Sequence, residues 1–280
     1  MSKLSKKIKI EKINNSASVI AEDFVAIEEP LEIQICSERS DHSAAKSLSI
    51  TMRTPGNDHD LAAGFLFTES IIKKDSDIQS IESVGEVDQI NGEQNTVRVT
   101  LDKSVDLEMD KLTRHFYTTS SCGVCGKSSI EALENEGCKV NTSKFSIAKS
   151  ELLELPQKLR DTQISFDKTG GLHAAGIFSS YGEIILARED VGRHNAVDKV
   201  IGSLYRENKL PANNLGLIVS GRTSFELMQK TIVAGIPLIV AISAPSSLAI
   251  NLAKEYDVTL VGFLRGESFN IYSGKQRIYR

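Results

Sequence analysis

Two cysteines that stand two residues apart offer the clearest chemistry in this sequence. Cys122 and Cys125 are each followed directly by glycine, within SSCGVCGKSS at residues 120–129. Because glycine has no Cβ, the backbone can turn sharply there and a partner can approach the sulfur atoms closely. Ser121 is a suitable helix N-cap, and both a helix N-terminus and the neighbouring Lys127 favour the thiolate form of cysteine. The spacing therefore predicts a nucleophilic, sulfur-handling pair of thiols.

Other interpretations of this pair need residues that the sequence does not supply. A zinc site needs two more ligands, but Cys36 is distant, Cys138 stands alone and there is no second Cys-x-x-Cys. A thioredoxin-like redox couple would follow a strand in a βαβ unit, which the flanking residues do not predict. A phosphate-binding P-loop requires glycine where Ser121 stands. The catalytic thiol interpretation is therefore preferred, with Cys36 and Cys138 as inert apolar side chains.

A dense polar run follows an apolar strand in the second half of the chain. Residues 188–199 are REDVGRHNAVDK, in which Arg193, His194 and Asn195 surround Gly192. Such a run is commonly a solvated helix face with internal ion pairs. Its position directly after a strand also suits a pocket for an anionic ligand rich in heteroatoms, and this interpretation is favoured.

Strands and helices are predicted to alternate regularly from residue 215 onward. The apolar strands are predicted at 215–219, 237–243 and 258–264, and the helices at 224–234 and 246–256. This pattern indicates a parallel sheet covered on both faces, in which ligands bind beyond the carboxyl ends of the strands. Small hydroxyl residues, Arg222 and Arg265 follow those ends, and together they suit phosphate.

The first half of the chain is predicted to be a mixed, mostly antiparallel unit. Its elements are strands at 24–27, 31–35 and 46–53, a helix capped by Asp58 from 59 to about 72, and a hairpin at Asn91-Gly92 between 84–90 and 96–101. Further along, an amphipathic segment at 147–160 is expected to break at Pro156, and Tyr181-Gly182 is expected to turn one strand into the next.

These patterns predict three regions. Residues 1–20 are expected to form a polar, partly disordered tail, and residues 21–145 a mixed α+β domain that carries the thiol pair near its end. Residues 146–280 are expected to form an α/β domain. The fold class is therefore α/β, or α+β over the whole chain.

Composition excludes several classes of partner. The 280 residues carry a formal net charge of −4, so nothing draws the chain as a whole to nucleic acid or to an anionic membrane. No apolar run has the length of a membrane span, and the N-terminus lacks the apolar segment of a secretory signal. Four cysteines do not make a disulfide scaffold, which favours a reducing, cytoplasmic location.

Several blocks in the same order resemble the FdhD family, the sulfur carrier proteins that formate dehydrogenase activity requires. The blocks are TPGND at 54–58, LAAGF at 61–65, SCGVCGK at 121–127, TGGLH at 169–173, REDVGRHNAVDK at 188–199, SGRTSFE at 220–226 and LVGFLR at 260–265. The resemblance extends over nearly the whole chain from about residue 24.

The resemblance implies a route for sulfur. A cysteine desulfurase would hand sulfur to the pair, with Cys122 as the persulfide carrier. The sulfur would pass to the molybdenum or tungsten of a bis-molybdopterin guanine dinucleotide cofactor before insertion into formate dehydrogenase, and a guanine nucleotide could occupy the same site. A homodimer and a cytidine-deaminase-like three-layer domain, preceded by a smaller domain, are also implied.

Cofactor contacts are expected in two groups. The resemblance implies contacts from Phe263, Leu264, Arg265, Gly266, Glu267 and Ser268. The chemistry of the residues adds Arg193, His194, Asn195 and Arg222, with Asp198 as a further base or pterin contact. No metal ligand is predicted.

Two other functions are compatible with parts of the sequence. One is a chaperone that binds the molybdenum cofactor and transfers no sulfur. The other is a zinc-dependent, deaminase-like hydrolase, although Ala175 replaces the glutamate expected two residues after His173, which leaves a zinc-bound water without its general acid and base.

Overall fold

The computed structural model describes residues 4–15, 17–37, 45–87, 92, 94–105 and 138–280. The predicted thiol pair, Cys122 and Cys125, lies outside the described residues. So do the helix expected after that pair and residues 88–91 of the predicted hairpin.

The described residues contain the following elements. The strands are β1 (Ser5–Asn14), β2 (Ala17–Ala26), β3 (Glu29–Ser37), β4 (Lys46–Arg53), β5 (Ile78–Val87), β6 (Gln94–Leu101), β7 (Ile147–Ala148), β8 (His173–Phe178), β9 (Ile184–Asp190), β10 (Gly216–Val219), β11 (Leu238–Ala241), β12 (Thr259–Arg265), β13 (Ser268–Ser273) and β14 (Ile278–Tyr279). The helices are α1 (Asp58–Thr68), α2 (Lys149–Asp161), α3 (Ile164–Thr169), α4 (Arg193–Arg206), α5 (Phe225–Val233) and α6 (Ser247–Glu255).

Six strands form the central sheet in the order β13-β12-β11-β10-β8-β9. The strands β10, β11 and β12 are parallel, as the sequence predicted, with α5 and α6 between them. The other three strands are antiparallel to their neighbours. The turn predicted at Tyr181-Gly182 joins β8 to β9, and Gly182 has the positive φ of 68° that such a turn favours.

Helices cover both faces of the central sheet and make a three-layer α/β fold. Neighbouring residues of each parallel strand point to opposite faces because the side-chain period of a strand is two. On one face the core joins sheet residues to α1, α4, α5 and α6, for example Leu217, Ile239, Leu260, Leu61, Val200, Leu227 and Leu252. On the other face it joins the sheet to α2, for example Ile218, Val240, Val261, Leu152, Leu155 and Leu159.

A second sheet has the strand order β4-β3-β6-β5. Two of its pairs, β3–β4 and β5–β6, are antiparallel, and β3–β6 is parallel. The mixed, mostly antiparallel character predicted for this part of the chain is therefore confirmed. The buried face of this sheet packs on α1 through Leu31, Ile33, Val97 and Val99.

Two glycines let α1 and α4 cross at very short distance. A Cβ on Gly64 would lie 1.9 Å from the carbonyl oxygen of Asp198, and a Cβ on Gly202 would lie 1.8 Å from that of Asp60. No real side chain fits at such a distance, so each position requires glycine. Gly64 and Gly202 therefore each supply one half of the contact.

The expectation of a polar, partly disordered tail at 1–20 is wrong for the described part of that segment. Strands β1 and β2 pair antiparallel from Ser5↔Ala26 to Asn14↔Ala17, and Lys7 forms an ion pair with Glu22 at 2.6 Å. The sequence carries β-branched residues at Ile8, Ile10, Val19 and Ile20, which favour a strand. The lysine and asparagine content masked this pattern.

The expectation that Pro156 breaks the helix is also wrong, because α2 continues through it. Leu152, Leu155 and Leu159 are buried on one face of α2. Their packing against the central sheet outweighs the loss of one backbone hydrogen bond at proline.

One hydrophobic core includes residues from both sides of the predicted boundary at 145/146, such as Ile33 and Leu217. The boundary itself stays a prediction. None of the helices in the described part of the chain is long and apolar enough to cross a membrane.

Candidate functional site: a cationic edge of the central sheet

The carboxyl ends of the parallel strands meet at one edge of the central sheet. Pairing aligns Val219 of β10 with Ala241 of β11, and His173 at the start of β8 with Asp190 at the end of β9. We use "carboxyl edge" for the residues brought together there, which are His173, 190–195, 220–226, 243–246 and 263–268. Most of the predicted cofactor contacts lie on this edge.

The loop that follows β10 is fastened to its neighbours through backbone groups. Ser220 accepts a hydrogen bond from the Ala174 N–H at 2.9 Å through its hydroxyl. The Thr223 N–H donates to Ala244, and the Ser246 N–H donates to Thr223. The hydroxyl of Ser246 caps α6 by accepting from Ala249 at 3.2 Å. The loop and the starts of α5 and α6 therefore form one rigid surface.

Asp190 anchors the start of α4 from within the fold. Its carboxylate is fully buried and forms an ion pair with Lys199 at 2.7 Å. It also accepts from the Gly192 N–H at 2.8 Å and the Thr54 N–H at 3.2 Å. These bonds hold Arg193 and His194 at the first turn of α4 on the carboxyl edge.

Two residues that were predicted to contact the nucleotide base or the pterin, Asn195 and Asp198, instead bind other residues of the protein. The Asn195 amide donates to the Met52 carbonyl oxygen at 2.8 Å and to Asp190 at 3.1 Å. Asp198 is buried and forms an ion pair with Lys230 at 2.9 Å. Here Asn195 joins α4 to β4, and Asp198 joins α4 to α5.

Two buried polar atoms on the carboxyl edge have no partner among the described residues. They are Nε of Arg193 and the hydroxyl oxygen of Thr223, whose side chain is completely buried. Leaving a buried donor unpaired is costly. Together with the exposed Arg222 and the N-termini of α4 and α5, these donors fit an anionic group such as phosphate.

His173 lies against the loop that follows β10. A Cβ on Gly221 would be 3.4 Å from its Nδ1 atom, a distance of ordinary van der Waals contact. Burial and then the charge of Arg193 lower the pKa of His173, with smaller contributions from His194 and Arg222, while Asp190 raises it. The imidazole is therefore neutral at pH 7 and adds no charge to the edge.

His194 connects the starts of α4 and α5. Its Nε2 atom lies 3.4 Å from the Ser224 hydroxyl and 3.7 Å from the Glu226 carboxylate. The contact with His194 is the main cause that lowers the pKa of Glu226 to about 2. Glu226 is thus ionised at neutral pH.

The predicted segment 263–268 forms the hairpin between β12 and β13. Leu264 is fully buried in the core, so it presents no accessible surface to a ligand. Phe263 has a positive φ of 55°, which is rare for an aromatic residue, and the Arg265 guanidinium lies 5.5 Å from its ring centroid. Arg265, Glu267 and Ser268 are exposed, and Gly266 makes the turn with φ 57°.

Sequence reasoning placed Thr223 and Ser224 among the small hydroxyl residues at this edge but missed Glu226 and His173. Both fall in blocks that carry the family resemblance, SGRTSFE and TGGLH. Their position directly after or before a strand end was the signal that could have identified them.

Two cavities lie at the opposite edge of the central sheet. Their volumes are about 330 and 540 Å³, and they share Ser143, Lys144, Phe145 and Ser146. No group of three or more potential metal ligands occurs in the described residues.

The chain belongs to the FdhD/NarQ family, whose model matches residues 26–279. It is 44% identical over 273 residues to the sulfur carrier protein FdhD of Sulfurisphaera tokodaii, covering 98% of both chains. It is 48% identical over 266 residues to that of Mycolicibacterium paratuberculosis, covering 91% of this chain and 92% of the other. The family resemblance stated from the sequence is confirmed.

The fold is shared with a solved structure. A crystal structure from Desulfotalea psychrophila, described as a putative formate dehydrogenase accessory protein, superposes with a TM-score of 0.76 at 26% identity. The match covers 99% of this chain and all of the other.

Proposed function

We propose that this protein is a cytoplasmic sulfur carrier that serves formate dehydrogenase. It accepts sulfur from a cysteine desulfurase and delivers it to the bis-molybdopterin guanine dinucleotide cofactor. The observation that carries this proposal is the similarity, over nearly the full length, to relatives named sulfur carrier protein FdhD. The shared fold with the accessory protein from Desulfotalea psychrophila supports the connection to formate dehydrogenase.

Acceptance of sulfur is a thiol exchange at Cys122. The Cys122 thiolate attacks the terminal sulfur of the donor persulfide, a new sulfur–sulfur bond forms, and the donor cysteine leaves as a thiolate. The carried atom is then a persulfide on Cys122, and Cys125, close by in the sequence, supplies a second thiol for exchange. The metal of the cofactor is the recipient of this atom.

The carboxyl edge is the proposed binding surface for the cofactor. Arg193, Arg222 and Arg265 are suited to its phosphate groups because guanidinium pairs with phosphate through two parallel hydrogen bonds. The unpartnered donors of Arg193 and Thr223 support this assignment, since phosphate oxygens would accept from them. The ring of Phe263 offers an aromatic face for a base.

The transfer of sulfur is tested by mass spectrometry after incubation with a cysteine desulfurase and cysteine. The wild-type protein is expected to gain the mass of one sulfur atom on the peptide that contains Cys122. Cys122→Ala should abolish the gain and the activation of formate dehydrogenase in cells, because it removes the attacking thiolate. Cys138→Ala is the matched control and should change neither. A Cys122→Ala protein that still activates formate dehydrogenase would instead identify a chaperone that carries no sulfur.

The cofactor site is tested with GDP, used as a probe for the nucleotide part. Arg222→Ala should weaken GDP binding by about tenfold and reduce its dependence on salt, because one exposed phosphate contact is lost. Arg160→Ala removes another exposed arginine, one on α2 that pairs with Asp167, and it should have no effect. Unchanged binding in both Arg222→Ala and Arg193→Ala would contradict the site.

A further inference from the structure

Glu226 places a negative charge on an edge that carries exposed arginines. Its side chain is 57% exposed, at the start of α5. The other charged side chains exposed there include Arg222, Arg265 and Glu267. A carboxylate repels phosphate, so it weakens a phosphate site unless it contacts a different part of the ligand. Phosphate binding, which suits the arginines, therefore does not explain the carboxylate of Glu226.

The carboxylate of Glu226 lies near the start of α4. One oxygen lies 3.7 Å from Nε2 of His194, which is longer than a hydrogen bond, and the Ser224 hydroxyl contacts that nitrogen. Because its pKa is lowered to about 2, Glu226 can only accept hydrogen bonds at neutral pH. Since more than half of the side chain is exposed, these hydrogen bonds can come from a ligand.

The other carboxylates of the carboxyl edge are placed differently. Asp190 is fully buried and is occupied by Lys199, Gly192 and Thr54. Glu267 lies at the exposed turn of the β12–β13 hairpin. Glu226 is thus the edge carboxylate that combines exposure with a contact to the start of α4.

We propose that Glu226 recognises the 2-amino-4-oxopyrimidine edge that guanine and pterin share, and so determines ligand specificity. Its carboxylate accepts from the ring N–H and from the adjacent 2-amino group. Adenine presents a ring nitrogen acceptor at the equivalent position, which an ionised carboxylate disfavours. This inference rests on the proposed function, because it requires a guanine- or pterin-containing ligand on the carboxyl edge.

The two contributions to binding are then separate. The arginines hold the phosphate groups and supply affinity for any nucleoside diphosphate. Glu226 supplies the preference among bases, because a site built to accept from a donor strongly disfavours an analogue that lacks it. His194 positions Glu226 for this contact.

Calorimetric titration of the full chain with GDP, inosine diphosphate and ADP tests this inference. Inosine diphosphate keeps the ring N–H of guanine and lacks the 2-amino group. Wild-type protein should bind GDP about 10- to 100-fold more tightly than inosine diphosphate, and Glu226→Gln should bring that ratio close to one. Glu226→Asp keeps the charge and should retain part of the preference. Glu255→Gln, at the exposed C-terminal end of α6 and outside the carboxyl edge, is the matched control and should leave the ratio unchanged.

A second pair of ligands distinguishes guanine from pterin as the group recognised. If Glu226 contacts the pterin, the preference appears for neopterin over its lumazine analogue, which lacks the 2-amino group, and it disappears in Glu226→Gln. Unfolding of each variant is followed in parallel, and the exposure of Glu226 predicts little change.

Several outcomes overturn the inference. An equal loss or gain of affinity for all ligands in Glu226→Gln would show that the carboxylate acts only through its charge. Wild-type binding without preference in either ligand pair overturns this inference and leaves the proposed function standing. Wild-type protein that binds neither GDP nor neopterin overturns both this inference and the cofactor part of the proposed function.

Discussion

Individual side chains on the carboxyl edge divide into those that are bonded within the fold and those that are left exposed. Arg193, His194 and Asn195 are consecutive, and the sequence treats them alike as polar residues. The structure separates them, because the amide of Asn195 is bonded to Met52 while His194 contacts Ser224 and Glu226. The partner of Asn195 is 143 residues away in the chain, so no local pattern reveals it.

The lowered pKa of His173 predicts a specific dependence of stability on pH. The folded pKa lies below the ordinary value of 6.5, so the unfolded chain takes up the proton first as pH falls. His173 therefore reduces the free energy of unfolding as pH falls through about 6.5, until the folded pKa is passed. His173→Gln removes this contribution. Between pH 7 and pH 5, the wild-type free energy of unfolding should fall more steeply than that of the variant.

Urea unfolding at several pH values and constant ionic strength measures this difference. The loop around Gly221 should tolerate glutamine, since His173 is only partly buried. Parallel pH profiles for the two proteins would show that His173 titrates alike in the folded and unfolded states, contrary to this prediction.

Among the helices and strands, prediction succeeded where an element imposes its own pattern. The strands and helices from 215 to 265 were found to within a few residues, because buried parallel strands are continuously apolar and the helices between them are amphipathic. The hairpin β1–β2 and strand β13 were missed, since both carry many polar residues on exposed faces. An exposed ribbon has no buried face from which to recognise its period.

The crossing of α1 and α4 yields a prediction about a single methyl group. Gly202→Ala should lower the free energy of unfolding by about 3 kcal/mol or more, because the new Cβ overlaps the carbonyl oxygen of Asp60 and forces the helices apart. Gly171→Ala is the matched control, since its Cβ would meet nothing closer than 3.7 Å. Chemical denaturation of both variants measures the difference. Equal stability of the two would contradict the observed crossing.

For the whole molecule, the carboxyl edge depends on parts of the chain that are far apart in sequence. The start of α4 is bonded to Met52 and Thr54 at the end of β4, and α1 packs across α4. A shared core joins the four-stranded sheet to one face of the central sheet. The first half of the chain therefore supports the edge on which the second half carries its arginines.

The order of residue types was sufficient to identify the family and the alternation of strands and helices in the second half, and it also predicts the thiol pair. These features depend on residues that are close together in the chain, so they are visible without a fold. Which polar residues of the carboxyl edge are exposed, and which are anchors, became clear only from the folded chain. That distinction depends on contacts between residues such as Thr54 and Asp190, 136 positions apart, and such contacts exist only once the chain has folded.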